Sequence, residues 1–233
     1  MVIRPILIAA LALLATAADG QPPAAEAQPA PAAPSALEAE VLAAINEVRA
    51  DPAAYAAKLR QYRGYFEGNV VTLPGSDVGL RTREGVAAVD EAIAFLGRQS
   101  PLPPLQAIPN LAESARELAS HQALSGSMGH AAADGSDAKV RIKKHKGSGL
   151  MAEALAYGAR DADSVVRQMI VDDGIPSRPN RRILFESKYR KAGVACGPHL
   201  AARSVCVIDL ATFWNLTPKT REVRVQPPQV EIR

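Results

Sequence analysis

The chain has 233 residues, a net charge of +3, and 48% hydrophobic against 22% charged residues. Its basic residues are scattered apart from two short runs, RIKKHK (141–146) and RPNRR (178–182), and neither run is interleaved with the aromatics that single-strand readers stack bases on, which excludes nucleic acid as a partner. The length suffices for one domain of ordinary size once unstructured ends are removed.

Met1 to Ala17 reads as a secretory signal: a short basic start at Arg4, an apolar core PILIAALALLATA, and the small residues Ala15-Thr16-Ala17 of a cleavage site. That core is too short to span a bilayer as a helix, so no transmembrane segment is expected in the mature chain; an uncleaved anchor is the other reading. No cysteine follows the apolar run, which argues against a lipid-anchored form. Residues 18–35, ADGQPPAAEAQPAPAAPS, cannot bury apolar area and read as a disordered linker. The folded domain is expected over 36–216, with a polar, Pro-interrupted tail over 217–233. The product is expected to be exported, to a periplasm or beyond.

Ser35 and Glu38 form a capping box, and Leu37, Val41, Ala44, Ile45 and Val48 follow at helical spacing. Asp51-Pro52 ends that helix and starts a second, with Asp51 as N-cap, Pro52 at the first helical position, and Tyr55, Leu59 and Tyr62 as the apolar stripe. Residues 63–84 read as a long surface loop. Val86, Val89, Ile93 and Leu96 mark a third helix over 85–98, and PLPPLQ (101–106) must be extended. A fourth helix spans about 109–125, with His121 on or beside its apolar face as a hydrogen-bonded structural histidine, and stops at Gly126.

The stretch His121–Glu153 holds three of the four histidines. His130 follows Gly129 in a loop, and Glu153 lies among Met151, Ala152, Ala154 and Leu155, where a charge is costly without a partner. His130 and Glu153 are therefore expected to share one polar cleft. His145, among lysines, reads as a solvated loop residue. AEALAYG (152–158) reads as a strand, and Asp161 or Asp163 caps a fifth helix bearing Val165, Val166, Met169 and Ile170. PSRPNRRILF reads as a loop. KAGVACG and SVCVIDLATF then form a hairpin in which Cys196 and Cys206 face each other as a disulfide, two buried free thiols being the alternative; His199 is a turn residue. Helices first and strands late argue an α+β layered fold with a mainly antiparallel sheet.

These residues together resemble the CAP superfamily, or SCP domain, of cysteine-rich secretory proteins, in its exported bacterial form. INEVRADPAAY is similar to the family's N-x-x-R-x-x-P-x-x-Y start, here Asn46, Arg49, Pro52 and Tyr55. MGHAAADGSDAKVRI with AEALAYG resembles G-H-x-x-x-D-G followed by G-E-N-I-x-x-G. VDDGIPSRPNRRILF, GVACGPH and CVIDLA resemble DDG-x-P-S-R-G-H-R-x-N-I-F, GVACGPH and CVI-D-F-A. The resemblance implies a three-layer α-β-α sandwich with a cleft of two histidines and two acids. By position His130 is the first histidine, Glu153 the first acid and Asp172 the second, with Asp173 as the alternative alignment. The second histidine falls on Asn180, a departure from the pattern.

That departure bears on the chemistry. A catalytic zinc site wants three good protein ligands and an open position. Asn180 offers only a neutral carbonyl oxygen, better suited to calcium or magnesium. Its presence also removes an imidazole able to move protons near neutral pH. A divalent metal (zinc, magnesium or calcium) on His130 and Glu153 is the cofactor the resemblance implies, and no catalytic residue is assigned. The reading is an exported binding or interaction module with a degenerate polar cleft, its partner a lipid or other apolar small molecule, or a protein. The alternative is a metal-assisted hydrolase using His130, Glu153 and Asp172. The sequence holds no G-x-S-x-G elbow and no free cysteine beside a histidine to supply a nucleophile.

Overall fold

A computed structural model describes residues 32–214. The segment read as a secretory signal (1–17), all but residues 32–35 of the Ala/Pro stretch, and the tail expected over 217–233 lie outside the described residues. The elements in order are α1 (Ala36–Ala50), α2 (Pro52–Arg63), three short strands β1 (Phe66–Glu67), β2 (Val70–Val71) and β3 (Leu80–Arg81), α3 (Val86–Leu96), β4 (Gln106–Ala107), α4 (Pro109–Ser125), α5 (Ala138–Lys144), β5 (Gly147–Tyr157), α6 (Ala162–Val171), α7 (Pro179–Leu184), β6 (Lys191–His199) and β7 (Arg203–Trp214). Among the described residues no helix is long and apolar enough to cross a membrane.

The central sheet has the order β4-β6-β7-β5. β6 and β7 form a hairpin and β5 pairs antiparallel with β7, while β4 adds one parallel edge. Both faces are covered, so the central strands read as nearly continuous apolar runs. Along β7, Cys206, Ile208 and Leu210 face a core shared with α1, α2, α3 and α6. Val205, Val207 and Ala211 face the other way, under α4 and α5. The result is the α-β-α sandwich, with the layer of α4 and α5 carrying the polar cluster described below.

Local chemistry explains most boundaries. The Ser35–Glu38 capping box forms, and Asp51 caps α2 through Ala54 N at 2.9 Å. Asn46 pairs its amide with both backbone groups of Leu105, at 3.1 and 2.8 Å, tying α1 to the extended PLPPLQ segment. Arg49 is fully buried and donates to the carbonyls of Pro103 and Leu184, so its partners are backbone rather than acidic. Burial brings its pKa down to about 10. Cys196 and Cys206 are directly opposed in the β6–β7 register and are bonded to each other. A link closing so short a loop stabilises by about 2–3 kcal/mol in the chain-entropy account.

Gly193 lets α4 settle on the sheet. A Cβ there would stand 2.1 Å from Ala112 N and 2.1 Å from the Leu111 carbonyl carbon. Only glycine permits that approach of helix backbone to strand.

The structure departs from the sequence reading in several places. Residues 63–84 carry a small antiparallel sheet, β1-β2-β3, because Asn69 and Thr82 tie its turns together. The loop read over PSRPNRRILF contains a helix, α7, whose first backbone N–H groups are accepted by Asp172. A further helix, α5, was not expected: Asp137 caps it and Ile142 anchors it. The buried face of α3 is Ala88, Val89, Ala92 and Leu96, with Val86 and Ile93 half-buried.

Candidate functional site

His130 is held by its loop before its ring does anything. Gly126 ends α4 in the left-handed region. Gln122 donates to Gly129 O at 2.6 Å, and Tyr157 Oη accepts from Gly129 N at 2.9 Å while donating to Gln122 Oε1. His199 donates from Nε2 to Ser127 O at 2.9 Å, and its Nδ1 accepts from Ala201 N and Ala202 N. Those partners fix His199 as a neutral Nε2–H tautomer that ties the loop to the β6–β7 turn.

The His130 side chain is 56% exposed, and its Nδ1 lies 2.7 Å from Glu153 Oε1 on β5. A carboxylate at Nδ1 leaves Nε2 as the outward-facing nitrogen. Glu153 itself is 1% exposed at its side chain, and its second oxygen accepts from Arg141 at 2.5 Å. Arg141, on α5 and equally buried, also donates to His130 O and Ser136 O, both at 2.8 Å. One guanidinium thus closes the 130–136 loop over the acid.

Directly across from Glu153 in the sheet register is Asp209 on β7, fully buried. Residues so paired point to the same face. Burial, and then the charge of Glu153, push the Asp209 carboxyl well above the usual range. Among the described residues neither of its oxygens has a hydrogen-bond partner, nor do Ser114 Oγ on α4 and Arg141 Nε.

Asp172 and Asn180 form a separate pair. Asp172 sits at the α6 C-cap with φ 55°, in the left-handed region that asparagine and aspartate tolerate best among side-chain residues. Its Oδ2 accepts from Asn180 N at 2.8 Å, and its Oδ1 accepts from Asn180 Nδ2 at 2.8 Å. Asn180 Oδ1 in turn accepts from Leu155 N on β5 at 3.2 Å. Burial raises the Asp172 pKa against those hydrogen bonds. Asp173, the alternative acid, turns away to accept from Arg83 N and Glu84 N at 2.7 and 2.8 Å. The structure therefore brings His130 and Glu153 together, and Asp172 and Asn180 together. The two pairs approach only through β5, where Asn180 binds two residues beyond Glu153.

The donor set does not fit a metal. Glu153 is bonded to Arg141 and His130 at its two oxygens, Asp172 to α7 and Asn180 at both of its own, and the Asn180 carbonyl to Leu155. Among the described residues no three His, Cys, Asp or Glu gather as ligands would. Ion pairs of Arg178 with Glu84 and Glu91, at 2.6 and 2.7 Å, hold the neighbouring loop to α3.

Two histidines differ from their sequence reading. The His121 ring makes no hydrogen bond to a described residue and lines a shallow groove with Leu124 and Ala133. His145 caps α5 and bonds Glu117 Oε1 at 2.8 Å, because that turn faces α4 rather than open solvent. Sequence reasoning missed Arg141 and Asp209. Arg141 was hidden in a basic run that reads as solvated. Asp209 lies in CVIDLA, where the rule applied to Glu153, a charge among apolar residues, would have found it.

The family model "CAP: Cysteine-rich secretory protein family" matches residues 42–210. No curated protein matches the chain. Among solved structures it is similar to an outer surface protein from Borrelia burgdorferi, at 22% identity and TM-score 0.39 over 47% of this chain and 77% of that one. An extracellular protein containing an SCP domain from Bacillus anthracis is 14% identical with TM-score 0.41, over 55% of this chain and 38% of that one. A cysteine-rich secretory protein from Staphylococcus aureus is 18% identical with TM-score 0.35, over 54% and 37%.

Proposed function

The chain belongs to the cysteine-rich secretory protein (CAP) family, and we propose that it is an exported binding module whose His130 face takes a partner protein or an apolar small molecule. The observation that carries this reading is the engagement of both cleft acids. Glu153 and Asp172 already bind protein groups at every oxygen, so neither offers a free acceptor to a metal-bound water. Exposed apolar side chains beside the cleft support it: Leu124 and Met128 flank the α4 terminus, and Leu200 packs over Gly126 between them. Apolar side chains grouped at a surface mark contact sites. The disulfide fits export.

The competing hydrolase reading would use His130, Glu153 and Asp172 with a metal, and it would require the two acids to abandon buried partners. Zinc content and affinity of the mature chain, wild type beside Asn180→His, separate the readings. A binding module holds no zinc at micromolar concentration, and Glu153→Ala leaves ligand binding intact as long as the fold survives. Tight zinc in the wild type, or an activity lost on chelation and on Glu153→Ala, overturns the proposal.

A further inference from the structure

We propose that the Cys196–Cys206 bond is an exchange site for a small thiol bearing a carboxylate, with Arg160 and Arg203 receiving the acid. Both cysteines line a cavity of about 350 Å³, a volume in the range of small-molecule sites. Its walls come from the start of α1 at Ser35 and Leu37, the loop after β5 at Ala159 and Arg160, and the β6–β7 hairpin. Cys206 is 3% exposed and Cys196 half-buried, so Cys196 is the more open half of the bond. The residue after it adds no cover, since even a Cβ at Gly197 would meet nothing within 4 Å. Disulfides open to solvent are the labile ones.

The same cavity is basic. Arg160 and Arg203 are both exposed, and neither guanidinium is bonded to an acid among the described residues. The acids close by are already engaged. Glu38 accepts from Cys196 N at 3.0 Å and from Ser35 N at 2.7 Å, with Arg116 at 3.6 Å, and Asp161 accepts from Ser164 N at 2.7 Å as the α6 cap. Arginine pairs with carboxylates through paired hydrogen bonds, and positive charge favours the thiolate, which is the attacking form. The thiolate attacks Cys196 Sγ. A new S–S bond forms as the Cys196–Cys206 bond breaks, and Cys206 leaves as a thiolate that takes a proton from water. A second thiolate attacks the small molecule's sulfur in that mixed disulfide, releasing the free small disulfide and the Cys196 thiolate. The protein gains two electrons and two small thiols are oxidised.

The experiment exposes the folded mature chain to reduced glutathione, or to the neutral thiol β-mercaptoethanol at equal thiolate concentration. The reaction is quenched with excess N-ethylmaleimide and read by intact mass against time. Wild type takes up one glutathione and one maleimide, or two maleimides once the second step has run. It reacts with glutathione about 10-fold faster than with β-mercaptoethanol, as charge pairs at a solvent-exposed rim allow. Sodium chloride at about 1 M removes that preference. The variant Arg160→Gln/Arg203→Gln, changed only at exposed positions, keeps the β-mercaptoethanol rate and reacts with glutathione no faster. No exchange below the urea concentration that unfolds the chain, equal wild-type rates with the two thiols, or a preference that survives loss of both arginines overturns the inference. The cavity shares no residue with the His130 cluster, so none of these outcomes bears on the binding-module reading.

Discussion

Replacing Gly193 by alanine tests the seating of α4, on which the polar cluster depends. The new methyl carbon would lie 2.1 Å from Ala112 N, 2.1 Å from the Leu111 carbonyl carbon and 2.6 Å from Leu111 Cβ. Ordinary contacts are about 3.5 Å, so the helix must lift by roughly 1 Å, and two of these three neighbours are backbone atoms that no rotamer change can move. The sheet-facing residues of α4 include Leu111, Ala115, Leu118 and Ala119, all buried. Burial of each leucine contributes about 1.5–3 kcal/mol and each methyl about 0.8. A gap of 0.5–1 Å forfeits about a quarter to a half of that contact, giving about 1–4 kcal/mol of lost stability. Equilibrium urea unfolding followed by circular dichroism reads this directly, and the melting temperature should fall by roughly 2–15 °C. Gly197 is the control, since a Cβ there meets nothing within 4 Å, and its alanine variant should stay within about 0.5 kcal/mol of wild type. If Gly193→Ala is as mild as Gly197→Ala, with an unchanged m-value, α4 is not held against the sheet in the way described.

Three further outcomes follow from the charges. Glu153→Gln leaves Arg141 without its acid, a loss of about 3–5 kcal/mol when nothing compensates. Asp209 lies directly opposite Glu153 in the sheet, so Glu153→Gln and Asp209→Asn should be non-additive, with a coupling of about 0.5–3 kcal/mol in urea unfolding. Strict additivity in a double-mutant cycle would show that the two acids do not interact. For acid stability, the hydrogen bonds of Arg178 hold the Glu84 pKa down to about 2 against an ordinary 4.5. A lowered acid stabilises the folded state above its unfolded pKa and loses that contribution as pH falls toward the folded one. Glu84→Gln should therefore flatten the loss of stability between pH 4.5 and pH 2 in urea titrations; a profile parallel to wild type would refute the pairing. Asp209 acts in the opposite sense, because its pKa is raised. Its contribution is present in acid and lost as pH rises through the folded value, and Asp209→Asn should remove that decline.

Much of this molecule was legible from residue order alone. Capping signals at Ser35, Asp51 and Gly126 placed helix ends to within a residue, because caps act through backbone groups a few positions away. The short apolar runs KAGVACG and SVCVIDLATF, separated only by GPHLAAR, gave the hairpin and the facing cysteines, because a short turn leaves little choice of register. The motif order gave the family and its layered fold.

What required the tertiary structure was the assignment of partners. Asn180 differs from the family pattern by one side chain, yet only folding shows that it is tied to Asp172 and Leu155. Arg141 lies in a run of charges that local reasoning assigns to solvent, and it is buried because a seven-residue helix turns it onto Glu153. Asp209 and Glu153 are separated by 56 residues in sequence and become neighbours through the β5–β7 register. Local hydrogen bonds and hydrophobic period are short-range, so sequence carries them; the energy of a buried charge depends on whatever arrives beside it from elsewhere in the chain, so only the fold decides it.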